Sequence, residues 1–414
     1  MVLESFRAAP RAFKVLMISA LIENVAFGLI VPYLAIYMVD DLHISEWLAG
    51  IALAGYTLSG IPGTIIGGML TDKLGRRIVL LASLGLMSLT MLLYFFAVDF
   101  VTLFMVILAD AFVGSLYMPA ANAMIADVIP PQGRPKAYST LRIAWNIGMF
   151  LGPAMGVFIV TAFSVRELFV FGAVILAGAL SMNIVFIPET KPVTAEEQEV
   201  SFLKFFQVGR NRTFLLLCAL TGVLWFSLAQ WMAVLQIYST SNLGLSNTTP
   251  GLLSAVNGVM VVTLQLWVTS KMVKFKRSVI LMTGQLIVAG GFSLIFFAND
   301  ILSLVACIVL ITIGELIYMS IVSAITADMA PDAERGLYMG FSGFIQSLGM
   351  GLGFVVGMLL LDVLPEPRYV WFIFGAVSAV GSLGYTVFGR MLGPERDLPH
   401  YQPEIIQLAL PLEK

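Results

Sequence analysis

Along most of this chain, apolar residues neither alternate with polar ones nor keep to one helical face. They run on for about 20 residues at a time, the length an α-helix needs to cross the hydrocarbon core of a bilayer. Twelve such runs cover 13–38, 46–71, 77–97, 100–128, 137–162, 166–187, 212–240, 248–270, 278–297, 300–329, 336–362 and 367–391. The pattern predicts an all-α integral membrane protein of twelve transmembrane helices. One interruption is longer than the rest. Segment 188–211 carries Glu189, Glu196, Glu197 and Glu199, then Phe202, Phe205 and Phe206 with Lys204 and Arg210, an amphipathic piece expected to lie along a membrane surface. It parts six runs from six. The expected domains are therefore an N-terminal six-helix bundle over 1–187, a linker over 188–211, a C-terminal six-helix bundle over 212–391 and a polar tail over 392–414.

Composition agrees. Charged residues make up only 12% of the chain, against about a quarter in soluble domains, and mean hydropathy is +0.94. A net charge of -2 offers no basic face to neutralise phosphates, which argues against a nucleic-acid partner. Cys218 and Cys307 fall inside apolar runs, and His43 and His400 lie at a helix edge and in the tail. Neither a disulfide, a metal site nor a cofactor is expected from them. The first run follows Arg7, Arg11 and Lys14 with no small-residue cleavage site, and reads as a span rather than a removable leader.

Charge then orients the spans. Lys73, Arg76, Arg77, Arg134, Lys136, Lys271, Lys274, Lys276, Arg277, Arg335 and Arg390 fall on one set of loops and ends. The opposite loops hold Arg166 and Arg368 against Asp40, Asp41, Asp99, Glu167, Asp300, Asp362 and Glu366. Basic loops stay inside, so both termini and the linker are expected in the cytoplasm. The short loops suit a prokaryotic cell membrane.

The two sets of runs also repeat. Ala126-Asp127-Val128-Ile129-Pro130, followed by Arg134, parallels Ala327-Asp328-Met329-Ala330-Pro331, followed by Arg335. The same offset carries Gly148, Gly152 and Gly156 onto Gly349, Gly353 and Gly357, and Arg76 onto Arg277. No acid in the second half replaces Asp72. A duplicated unit is the pattern of transporters whose halves rock about a central site.

Between the second and third runs stands Gly67-Gly68-Met69-Leu70-Thr71-Asp72-Lys73-Leu74-Gly75-Arg76-Arg77. Its glycines allow close backbone approach, and Asp72 can pair with Arg76 or cap a neighbouring helix. Gly68, Leu70, Asp72, Lys73, Gly75, Arg76 and Arg77 match G-x-L-x-D-[RK]-x-G-R-[RK], and this run resembles the loop between helices 2 and 3 of the major facilitator superfamily. The resemblance extends over residues 10 to 391. It implies two pseudo-symmetric six-helix bundles around a central cavity, alternating access, and a charge cluster in which Asp127 joins Asp72 and Arg76.

Within the fifth run, Gly148, Gly152, Pro153 and Gly156 form G-x-x-x-G-P-x-x-G. Physically this is a smooth face for helix packing with a proline bend. It is also similar to the helix-5 signature of the drug:proton antiporter branch of the superfamily, which implies export. The second copy has Phe354 in the place of Pro153.

Four ionisable residues lie inside spans: Glu23, Asp110, Arg142 and Glu315. Each costs about 2.5–3.5 kcal/mol at mid-membrane on insertion scales, so each is a candidate for proton coupling. The three acids fall in spans 1, 4 and 10, and in the superfamily helices 1, 4, 7 and 10 line the cavity. Arg142 is expected to be their buried basic partner. Gly314-Glu315-Leu316-Ile317-Tyr318 resembles the helix-10 segment of some multidrug antiporters, where the acid takes part in coupling and in binding cationic drugs. A carboxyl in an apolar cavity can hold a proton while empty and release it to meet a cation. Simple structural pairing is the competing reading for each acid. The family's helix-4 arginine is absent, with Asp110 and Ala111 in that region, which leaves the coupling ion open.

Trp225, Gln230, Trp231, Asn146, Asn257, Tyr318 and Gln346, with Glu315 and Glu23, are the candidate substrate-binding residues, since aromatic and amide groups among methionines suit greasy cations. Helix packing is the alternative for every one. The expected function is proton-coupled export of amphipathic, cationic small molecules by a monomer in the lipid bilayer. An uptake symporter and a lipid or glycolipid flippase share the fold and remain alternatives. A membrane enzyme is disfavoured, because no intramembrane histidine or nucleophile–base pair is present.

Overall fold

The computed structural model describes residues 9–130, 134–191, 211–272, 274–331 and 335–397. The amphipathic segment with Phe202, Phe205 and Phe206, and the tail beyond 397, lie outside the described residues. The first half contains α1 (Arg11–Ile36), α2 (Glu46–Leu74), α3 (Arg76–Phe96), α4a (Phe100–Gly114), α4b (Tyr117–Val128), α5 (Arg134–Ala162) and α6 (Glu167–Phe186). The second contains α7 (Arg212–Ala229), α8 (Thr249–Met272), α9 (Arg277–Ile295), α10a (Ile301–Met319), α10b (Val322–Met329), α11 (Arg335–Val363) and α12 (Tyr369–Leu392), with a short α13 (Pro394–Asp397). Among the described residues, eleven helical stretches are long and apolar enough to cross a membrane. The 24-residue α8 takes the eighth place. This is the all-α, two-bundle, multi-spanning fold that the apolar runs predict.

Two spans are less regular than their sequence suggests. The fourth breaks at Ser115 and the tenth at Ser320, where the hydroxyls donate to Ala111 O (2.7 Å) and Ile317 O (2.6 Å). Such back-bonding bends helices, and at Gly114-Ser115 the missing side chain helps. Asp110 and Glu315 each stand five residues before their break. The first and seventh spans end alike, in π-helical turns at Tyr37–Asp41 and Tyr238–Asn242.

Each half packs in the same way. α1 runs along α5 and α7 along α11, while α3 packs on α6 and α9 on α12. Small residues set these distances. A Cβ on Gly148 would come 2.6 Å from Asn24 Cβ, one on Gly152 2.5 Å from Leu29 N, and one on Gly156 2.6 Å from the Tyr33 ring. In the repeat, a Cβ on Gly349 would meet the Gly222 backbone and one on Gly353 would come 2.8 Å from Ala229 Cβ. The antiporter-like pattern therefore has its close-packing role in full.

The halves meet through α2 against α11, α5 against α8, and α1 against the far part of the seventh span. These contacts gather toward the end bearing the acidic loops. There Asp40 accepts hydrogen bonds from Thr240 (3.1 Å) and Ser241 (2.7 Å) across the two halves.

Candidate functional site

At the basic end, the turn between α2 and α3 builds a charge cluster around one buried guanidinium. Arg76 Nε donates to Asp127 Oδ2 at 2.9 Å, and its Nη1 lies 3.4 Å from Asp72 and donates to Thr71 O at 3.1 Å. Asp127 also accepts from Thr190 (3.1 Å). Gly75 ends α2 with φ 104°, a conformation that excludes ordinary side chains. Its missing side chain also makes room for Glu189. Gly67 lies against Leu116, whereas a Cβ on Gly68 would meet nothing within 4 Å. Arg77 donates to Ile184 O at 2.8 Å. In the second half Arg277 pairs with Asp328 at 2.7 Å, so the repeat keeps the central ion pair without an acid at the position of Asp72.

Sequence reasoning missed two acids here. Glu189 accepts backbone N–H groups of Arg76 (3.0 Å), Arg77 (3.2 Å), Thr190 (2.8 Å) and Lys191 (2.9 Å), capping α3. Partial desolvation raises its pKa, but these four donors outweigh that and hold it below the usual carboxylate value. Asp397 does the same for α9, accepting from Ser278 N and Oγ, both at 2.8 Å. The available signal was positional: each acid follows the last span of its half by a few residues.

Glu23 and Asp110 lie near enough to repel one another within the first half, whereas Glu315 stands apart in the second. Glu23 is buried on α1 and accepts from the neighbouring Asn24 amide at 2.5 Å. Asp110 faces α3, where Thr90 donates at 2.5 Å and Tyr94 at 3.5 Å. Glu315 is only half-buried, and Asn257 on α8 donates to its Oε2 at 3.0 Å. The same amide donates to Thr312 Oγ1 at 3.0 Å, so Glu315 and Asn257, two of the expected residues, are brought together.

Arg142 is not brought to them. Its side chain is exposed and, among the described residues, it forms no ion pair with Glu23, Asp110 or Glu315. It precedes Gly148 by six positions, which at 3.6 residues per turn puts it about 120° around α5 from the face that packs on α1. The expectation of a buried arginine partner therefore fails on helical phase.

The aromatic and amide candidates scatter. Gln230 is fully buried and donates to Phe226 O (2.7 Å) and Gly353 O (3.0 Å), bridging the seventh span to α11. Tyr318 is fully buried, its hydroxyl bonded to Thr221 (2.8 Å) and Tyr385 (2.7 Å) inside the second half. Gln346 donates to Ser342 at 3.1 Å within α11. Trp225, Trp231 and Asn146 are half-buried, and the Trp225 indole N–H is buried without a partner. Among the described residues no group of three His, Cys, Asp or Glu side chains could hold a metal ion, and Cys218 and Cys307 are free thiols.

Comparison with known proteins fits this architecture. An uncharacterized MFS-type transporter of Bacillus subtilis, YttB, is 29% identical, with 85% of this chain and 89% of that protein covered. The quinolone resistance protein NorA of Staphylococcus aureus is 24% identical, covering 83% and 88% respectively. Among solved structures, a POT family transporter in complex with 5-aminolevulinic acid superposes with a TM-score of 0.80 at 15% identity, over 94% of this chain and 99% of that one. The Major Facilitator Superfamily model matches residues 16–241 and 232–411. The chain therefore belongs to the Major Facilitator Superfamily and is a secondary-active transporter, not an enzyme.

Proposed function

We propose that the protein exports amphipathic cations in exchange for protons. The observation that carries this reading is Glu315, an acid in the middle of an apolar span. It is half-buried, touched by one amide donor, and among the described residues paired with no basic side chain. A carboxylate so placed needs either a proton or a cationic cargo, and competition between the two is the elementary requirement for antiport. The glycine pattern on α5 and the likeness to a quinolone resistance protein support export over uptake.

The positive-inside argument sets the basic end in the cytoplasm of a cell-membrane protein with both termini inside. The contacts between halves at the acidic end then describe a carrier closed to the outside. Cargo enters from the cytoplasm and displaces the proton at Glu315. The Asp72–Arg76–Asp127 cluster opens as the bundles, 1–187 and 212–391, rock outward. Protons arriving from outside reload the acids, Asp110 and Glu23 among them. Asp110 and Glu23 lie within the first half and serve the proton rather than the cargo.

Replacing Glu315 by Gln tests the core of this cycle. In proteoliposomes the variant is expected to fold and to lose gradient-driven movement of a fluorescent lipophilic cation. Undiminished pH-dependent export by Glu315→Gln would remove Glu315 from the mechanism.

A further inference from the structure

Two oxygen atoms beside the proposed cargo site lack hydrogen-bond donors, and their arrangement narrows the cargo. Asn257 Nδ2 donates to both Thr312 Oγ1 and Glu315 Oε2, each at 3.0 Å. Thr312 spends its own hydroxyl proton on Ile308 O (2.7 Å), and a carboxylate has none to give. Both partners therefore require N–H from Asn257, which fixes the amide and turns its Oδ1 away from them. Among the described residues no donor reaches Asn257 Oδ1 or Glu315 Oε1. Neither atom is among the sealed polar atoms without a partner, so each keeps some accessible surface.

The place is the seam between the halves. Gly258, next to Asn257, abuts α5 of the other half, where a Cβ would come 2.9 Å from Phe150 Cβ. α8 and α10a thus offer two acceptors, one of them charged, at a level where the bundles touch.

We infer that Asn257 Oδ1 and Glu315 Oε1 form a two-acceptor seat that selects protonated primary and secondary amines over quaternary ammonium ions of the same shape. The inference rests on the reading of Glu315 as the cargo-binding acid and deepens it. An ammonium keeps N–H bonds that each of these oxygens can accept. A trimethylammonium satisfies neither, and on binding it strips water from Asn257 Oδ1 with nothing in return. Asn257 then acts twice: its amide N–H holds Glu315 in place, and its oxygen discriminates.

The test compares 2-naphthylmethylammonium with its N,N,N-trimethyl counterpart, binding to the purified full-length protein in nanodiscs by calorimetry at near-neutral pH. One hydrogen bond to a cation is expected to make the primary ammonium bind roughly tenfold tighter or more. In Asn257→Leu the ratio is expected to fall several-fold, to the part that Glu315 Oε1 alone supplies. Equal affinities in the wild type, or a full preference kept by Asn257→Leu, overturn the seat. The wild-type comparison decides even if the variant does not fold. If both cations bind equally and a pH gradient still drives their transport, only this inference fails. If neither binds, the cationic-cargo reading fails with it.

Discussion

Replacing Asp127 by Asn and, separately, Asp72 by Asn removes one negative charge from around Arg76 in each case. The two sites differ in burial and geometry. Asp127 has a side chain 12% exposed and accepts from Arg76 Nε at 2.9 Å, whereas Asp72 is 67% exposed with its nearest oxygen at 3.4 Å. Arg76 itself is 8% exposed, so it cannot turn to water when its partner is neutralised. A buried, charge-assisted hydrogen bond is worth about 1.5–3 kcal/mol, and an exposed pair about 0–1 kcal/mol. Asp127→Asn is therefore expected to cost about 2 kcal/mol more than Asp72→Asn. For a unit of about 150–250 residues that corresponds to a difference of roughly 4–8 °C in melting temperature. Thermal unfolding in nanodiscs, followed by tryptophan fluorescence, reads it directly. In an Arg76→Gln background the difference is expected to shrink, because Gln offers no charge to lose. Equal shifts for the two Asn variants would refute the argument that burial makes Asp127 the working partner.

Gly152→Ala places a methyl group 2.5 Å from Leu29 N and Val25 O, backbone atoms that cannot step aside, and is expected to cost about 1–3 kcal/mol. An unchanged melting temperature would show that α1 and α5 are not in tight contact. Glu189→Gln loses a charge at the α3 N-terminus, worth about 0.5–1 kcal/mol after solvent screening of an exposed group. Because the folded pKa is depressed, the wild type's advantage is present above the ordinary carboxylate value of 4.5 and disappears as pH falls below it through the folded value. An advantage that persists fully in acid would contradict the capping role. Asp40→Ala removes the link to Thr240 and Ser241. Spin labels on the α1–α2 and α7–α8 turns should then report a larger population at long distance, and an unaltered distribution would deny Asp40 any part in closure.

Which features could be read in advance follows from what kind of signal each one leaves. Span positions were legible because hydrocarbon thickness fixes a run length, Ala126-Asp127 with Arg134 announced the duplication, and the resemblance of the loop around Asp72 implied Asp127 as the partner of Arg76. Helical phase was not legible. In a chain this apolar a helix is hydrophobic on every side, so nothing marks which face packs. Arg142 was consequently expected buried among the acids and is exposed, and Tyr318, three residues past Glu315, turns into its own bundle to meet Thr221 and Tyr385. The breaks at Ser115 and Ser320 also left no length signal, since the apolar runs continue through them. Glu189 and Asp397 stand in segments that look like plain polar connectors, and only folding brings them to the N-termini of α3 and α9. Glu315 was singled out as an ionisable residue inside a span and Asn257 as one of the amide candidates, but their 3.0 Å contact needed α8 and α10a side by side.

The central claim is exchange of a cation for protons, and direction of movement tests it most directly. Purified protein in liposomes would be given a fluorescent lipophilic cation under gradients of opposite sign, with protein-free liposomes as the baseline for passive partition. The account predicts accumulation above that baseline when the lumen is acidic, and its loss in Glu315→Gln. Accumulation driven by acid outside, or none under either gradient, would contradict it. The first would make the carrier a symporter, and the second would point to a cargo that is not a cation.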